Sequence, residues 1–251
     1  MKAVWRLAQT SLREMLREKI FFVAFGGALF LVLLSLLLGE MSLDESERLL
    51  ADLGFAGVEL AVSALALFSG SFLLARELDR QTCLLILSKP VSRQQFLLGK
   101  WLGTAMLVFG FVIVLSMTMA LLIGRWWGGF LPVAASIFVK SLILLSWSLF
   151  VSTFARPILA LLSGVSLYLL GHWLGDLAVF AEKSGDPIRI WIVKNLRWVV
   201  PNFDLYNWKS HFHLVETPLL RDILGMALQG VAFCAVFLIL AGFFFRRKDL
   251  V

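Results

Sequence analysis

Residues 20–38 read IFFVAFGGALFLVLLSLLL, with Ser35 as the single polar side chain and no charge. Crossing the hydrocarbon core of a bilayer takes about 20 apolar residues in a helix. A soluble core would interrupt such a run with a polar face. The segment therefore reads as a membrane span. Five more runs of the same kind follow, at residues 55–75, 101–123, 132–154, 158–174 and 223–245. The chain is 60% hydrophobic and only 16% charged, against about 25% charged in a soluble domain. The expected fold is an all-α integral membrane protein with about six transmembrane helices, forming one transmembrane domain over residues 1–251.

The flanks of the first span sharpen this reading. Residues 1–19 form an expected amphipathic helix, with Val4, Trp5, Ala8, Leu12, Met15 and Leu16 on one face and Lys2, Arg6, Arg13 and Arg17 on the other. Leu7 is the exception. A basic amphipathic helix beside a span is expected to lie in the headgroup plane. The first apolar run ends in Leu38-Gly39-Glu40-Met41 and lacks a small-x-small cleavage site, so it reads as a retained span.

Orientation comes from the basic residues. The N-terminal helix, the loop at 76–100, Arg156 and the C-terminal tail carry 14 of the 23 Lys and Arg residues. The opposite side holds the acidic loop with Glu40, Asp44, Glu45, Glu47 and Asp52, and a turn with Trp126 and Trp127. It also holds the long segment 175–222, where six acidic and six basic residues cancel. Both termini are expected in the cytoplasm. The net charge of +6 is then a topology signal, and nucleic acid is not an expected partner. Trp191, Trp198 and Trp208 beside Ile188, Ile190 and Ile192 make 175–222 too aromatic for a solvated loop. It is expected to hug the outer interface. Lys140 and Glu59 lie near the outer ends of their spans and are expected to snorkel. His172 is expected at the interface.

The loop after the second span carries the most information. Arg76, Glu77, Asp79 and Arg80 leave the membrane as a charged turn. Cys83, Leu84, Leu85, Ile86 and Leu87 form an apolar patch too short to span. Such a patch on the cytoplasmic side wants a protein partner or the membrane surface. Pro90 disfavours helix at Lys89. Ser92 then caps a new helix, with Gln95 in capping-box position.

This loop resembles the hallmark loop of type 2, exporter-like ABC transporter permeases. The resemblance rests on Glu77, Thr82, the run Leu87-Ser88-Lys89-Pro90-Val91-Ser92-Arg93, and Leu98-Gly99-Lys100. Val200-Pro201-Asn202-Phe203 and Ser152-Thr153-Phe154 resemble elements of the subgroup containing the permease for nitrous oxide reductase maturation. The resemblance implies a prokaryotic inner (plasma) membrane, about six spans, and a coupling helix that docks on a separate ABC ATPase. Glu77, Arg80, Thr82, Cys83, Leu84, Leu87, Ser88, Lys89, Pro90 and Arg93 would form or flank that contact. It further implies a second permease copy or a paired permease.

The chain contains no G-x-x-x-x-G-K-[ST] stretch. Gly99-Lys100 is followed by Trp101, and position 94 is Gln94, so the phosphate cradle is missing. No cofactor is expected in this chain, and ATP and magnesium are expected on the partner ATPase. The chain is not expected to be an enzyme. It has no His-Glu-x-x-His pair, and the spans hold no paired aspartates. His211 and His213 could share one side of an extended strand, but without a third ligand no metal site is expected. The apolar spans favour a lipidic or amphiphilic cargo over an ion. A signalling or force-transmitting membrane subunit that moves no substrate would carry the same loop.

Overall fold

The computed structural model describes residues 2–40, 46–79, 92–123, 130–209 and 219–247. Within them the order is α1 (Lys2–Leu16), α2 (Lys19–Glu40), α3 (Ser46–Asp79), α4 (Arg93–Ile123), α5 (Phe130–Ser152), α6 (Pro157–Ser184), α7 (Pro187–Val199), a single 3-10 turn (Phe203–Tyr206) and α8 (Leu220–Arg247). Helices α2, α3, α4, α5, α6 and α8 are long and apolar enough to cross a membrane. Among the described residues the fold is all-α with six helices able to span, as expected.

Helix α3 packs on α2, α4, α5 and α6, and α5 packs on α3, α4, α6 and α8. These two helices form the centre. Burial agrees, at 61% and 67% of the span windows of α3 and α5, against 17% for both α2 and α8. Inside a membrane, apolar burial does not by itself drive helices together, because lipid tails are as apolar as leucine. Small residues and satisfied polar groups must hold the contact. Helix α5 has buried serines at 136, 141 and 152, each of which donates to a carbonyl one turn back at 2.8 Å. Two indoles cross between helices: Trp101 Nε1 donates to Ser146 Oγ at 2.9 Å, and Trp147 Nε1 to Ser163 Oγ at 3.2 Å.

The helices outrun the expected spans. Helix α3 begins at Ser46 and α4 at Arg93, because polar residues at a helix end meet water and need no apolar match. Helix α6 continues to Ser184, so the first ten residues of the expected outer segment extend the fifth span. It ends at Gly185, whose φ of +65° is the left-handed conformation that glycine adopts without Cβ cost. Asp186 then caps α7, accepting from the Ile188 amide at 3.0 Å.

No residue of helix α7 is fully buried, and Leu196 is half-buried against the core. Ile188, Trp191, Ile192, Trp198 and Val199 stay exposed. The chain then turns inward. Val200, Pro201, Phe203, Tyr206 and Trp208 are buried. The three tryptophans of this segment therefore separate, with Trp191 and Trp198 facing outward and Trp208 packed in the core.

Helix α1 lies against α4. Its buried residues are Ala8 and Ser11, with Val4, Leu7, Leu12 and Met15 half-buried, while Trp5 and Leu16 are exposed. The packed stripe is rotated from the expected one. Leu7, the exception to the expected stripe, belongs to the packed one, because Gly99 of α4 leaves room for its side chain.

Candidate functional site

Residues 80–91 lie outside the described residues. They include Arg80, Thr82, Cys83, Leu84, Leu87, Ser88, Lys89 and Pro90. Glu77 sits in the last turn of α3, with its side chain outside the described atoms. His211 and His213 also lie outside the described residues. Arg93, Gly99 and Lys100 are described, and they show how the loop's return is anchored.

The start of α4 is a reciprocal capping box. The Gln95 amide donates to Ser92 Oγ at 3.2 Å, and the Ser92 amide donates to Gln95 Oε1 at 3.1 Å. This satisfies two of the amides that a helix start leaves open, and it is the cap read from the sequence. The Arg93 guanidinium reaches across to α8 and donates to the carbonyls of Phe245 and Arg246, at 3.1 Å each. Those carbonyls belong to the last turn of α8, where a cation is favoured by the helix dipole. Phe96 and Phe245 stack beneath it with centroids 6.1 Å apart. Further along α4, Lys100 is 3% exposed and pairs with Glu14 of α1 at 2.8 Å. The start of α4 thus holds both terminal helices of the chain.

Arg93→Ala is expected to loosen the α8 end by about 1 kcal/mol. Backbone amides near Arg246 should then exchange about fivefold faster in hydrogen–deuterium exchange, the rate equivalent of that energy, with the middle of α8 unchanged. Equal exchange in both proteins would remove the capping role.

A second polar site lies about midway along the bundle helices. Glu59 of α3 and Lys140 of α5 are each 1% exposed and form a direct ion pair. His172 Nε2, on α6, lies 3.0 Å from the same Glu59 oxygen and 3.1 Å from Lys140 Nζ. Its Nδ1 lies 2.8 Å from the Tyr168 carbonyl, so the ring is fixed from both sides. Lys209, from the segment that returns after α7, reaches the second Glu59 oxygen at 2.5 Å. One carboxylate therefore collects groups from two other spans and this returning segment.

The snorkelling expected of Lys140 and Glu59 is overturned. They are near neighbours at the same depth, and pairing inside the bundle replaces the water that each would otherwise seek. His172 likewise takes part in the cluster and does not simply face the interface.

Phe203 roofs this site. Its ring is fully buried, 5.6 Å from Lys140 Nζ and 5.5 Å from the His172 ring centroid. The backbone brings it there through an Asx turn, in which Asn202 Oδ1 accepts from the Asp204 amide at 3.1 Å. Gly171 makes the approach possible, since a Cβ at that position would overlap the Phe203 ring. Tyr206 follows. Burial pushes its phenol above the ordinary value, with Cys234 adding to the effect. It stays protonated and points at the Met226 carbonyl at 3.4 Å.

Sequence reading singles out the Pro-Asn-Phe element, Glu59, Lys140 and His172 separately, without assembling them. The signal that could have joined them is that opposite charges lie at similar depth in two spans, while an aromatic turn follows the next span.

A family model described as ABC-2 family transporter protein matches residues 5–250. No curated protein matches the chain. With the match covering nearly the whole chain, and with six helices able to span a membrane, the chain belongs to the ABC-2 family of transporter proteins as a multi-pass membrane component.

Proposed function

We propose that this chain couples ATP hydrolysis by a separate ABC ATPase subunit to translocation of a lipidic or amphiphilic substrate, acting beside a second permease copy. The observation that carries this reading is the anchoring of the loop's return. Ser92 and Gln95 cap α4, Arg93 ties it to α8 and Lys100 ties it to α1. A push on residues 76–91 would reach three helices at once, as a rigid-body movement between two states requires.

In this reading the N-terminal side faces the cytoplasm, supported by the excess of Lys and Arg there. The patch at 83–87 seats on the ATPase, with Glu77 and Thr82 at the contact and Pro90 setting the return. The chain contributes no ATP site of its own. Helix α7, which leaves Ile188, Trp191, Ile192, Trp198 and Val199 exposed, lies in the outer interface. The Val200-Pro201-Asn202-Phe203 element supports the nitrous oxide reductase maturation subgroup.

The test is purification from the native membrane, followed by reconstitution. An ATPase subunit should copurify with the wild type. Truncating one partner of a docked charge pair costs about 2–5 kcal/mol, so Glu77→Ala should lower ATPase capture about thirtyfold or more while insertion is unchanged. ATP-dependent movement of a fluorescent phospholipid across the vesicle membrane should fall with it. Recovery of wild-type protein without any ATPase subunit would reject the reading. ATP hydrolysis with no substrate movement would assign the chain to force transmission instead.

A further inference from the structure

Between α2 and α3 runs a groove of about 510 Å³. Gly27 and Phe30 line it from α2, Leu60, Ala64 and Phe68 from α3, and Lys19 stands at one end. A Cβ added at Gly27 would meet nothing within 4 Å, so the space above it is open. The volume lies in the range of small-molecule sites, and apart from Lys19 the wall residues carry no charge.

The groove has a depth as well as a shape. Its α2 wall runs from Lys19 to Leu31, about 18 Å at 1.5 Å per residue. Half of a bilayer hydrocarbon core is about 15 Å. The groove therefore matches one leaflet, the one on the side of α1. Lys19 begins α2 with two residues between it and the end of α1, and this length match puts it at headgroup level. It is exposed and has no ion pair among the described residues, and Arg17 beside it is exposed as well. Glu18, the nearby acid, is half-buried and lines a neighbouring small pocket with Met15 and Phe21.

We propose that this groove binds one anionic phospholipid of the leaflet on the α1 side, with an acyl chain between α2 and α3 and the headgroup phosphate on Lys19. A second copy of the chain fits less well. A two-fold interface is self-complementary, whereas this surface is concave and ends in a charge, and interface cores are depleted of lysine. The proposal rests on the chain spanning a membrane and is independent of any transported substrate.

Native mass spectrometry of the full chain, purified with whatever subunits accompany it, tests this. Phosphatidylglycerol and phosphatidylcholine of identical acyl chains are the probes. The wild type should retain one lipid per copy, with about fivefold preference for phosphatidylglycerol, the size of one lysine's attraction to a headgroup of net negative charge. Lys19→Gln should keep the lipid and lose the preference. Ala64→Leu and Gly27→Leu fill the groove from opposite walls, and each should lose the lipid. Gly110→Ala, in open space on α4, should behave as wild type. Should one filling variant fail to fold, the other decides. Retention of the lipid in a folded filling variant would overturn the proposal, as would a preference that survives Lys19→Gln. Conversion of a two-copy assembly to one copy by the filling variants would also overturn it, by giving the groove to a second chain.

Discussion

Glu59→Gln is expected to destabilise the protein by about 3–5 kcal/mol, the usual cost of removing one partner from a buried ion pair. Glutamine keeps the size of the side chain and removes only the charge. Lys140 is 1% exposed and then has no neutralising partner in direct contact. His172 loses the acceptor at 3.0 Å and Lys209 loses its anchor at 2.5 Å. Partial exposure softens the loss at Lys209, whose side chain is 21% exposed, so Lys209→Gln is expected to cost about 1 kcal/mol at most. Thermal unfolding in nanodiscs should rank the two variants in that order.

Replacing both buried charges tests the electrostatic cause. The double variant Glu59→Leu/Lys140→Met should recover most of the lost stability, because a matched apolar pair avoids both desolvation costs. A coupling energy near zero between the two sites would show that the pair contributes through packing alone. Hydrogen–deuterium exchange adds a spatial check. Glu59→Gln should speed exchange at residues 200–209, which the Glu59–Lys209 pair holds against the bundle, and should leave α4 unchanged.

The site also shows where sequence reading stops. Run length and charge decide span number, because the bilayer fixes both. A cap is a local event within four residues, so the Ser92–Gln95 box is legible before any fold is known. Side-chain partners across helices are a different matter. Glu59 and Lys140 are 81 positions apart, and depth alone leaves each free to seek either water or the other. Their pairing depends on α3 and α5 packing face to face at the centre of the bundle. The same limit applies to residues 175–222, where composition marks an aromatic segment near the interface. Only the turn at Asn202 and the gap at Gly171 decide that Phe203 enters the bundle while Trp198 stays out. Leu7 is a third case, since a helix with both apolar and basic residues offers more than one stripe for packing. The glycines of α4 select which stripe packs.

Those glycines support the second large effect. Gly103→Leu is expected to lift α1 from α4. A Cβ at Gly103 would stand 2.5 Å from the Ala8 carbonyl oxygen and 2.7 Å from Ser11 Cβ. At Gly99 it would stand 2.6 Å from Leu7 Cβ and 3.2 Å from the Val4 carbonyl oxygen. Backbone atoms cannot swing aside as a flexible side chain can, so the helix as a whole must move. Overpacking of this kind costs about 1–3 kcal/mol. Moving α1 also takes Glu14 from Lys100, which is 3% exposed and is left without that carboxylate. Trypsin should then cut at Arg6, Arg13 and Arg17 about 10- to 100-fold faster, since cleavage follows the population of the opened helix. Gly103→Ala should give a smaller rise, and Gly110→Ala, whose Cβ would meet nothing within 4 Å, should give none. Equal nicking in all three would mean that α1 does not depend on this seat. Gly103 and Lys100 then have distinct physical roles, since the glycine provides the close approach and the lysine supplies the charge that fastens α1. If residues 76–91 receive a push from an ATPase, this seat carries it onward, so Gly103→Leu should weaken transport even with the loop intact.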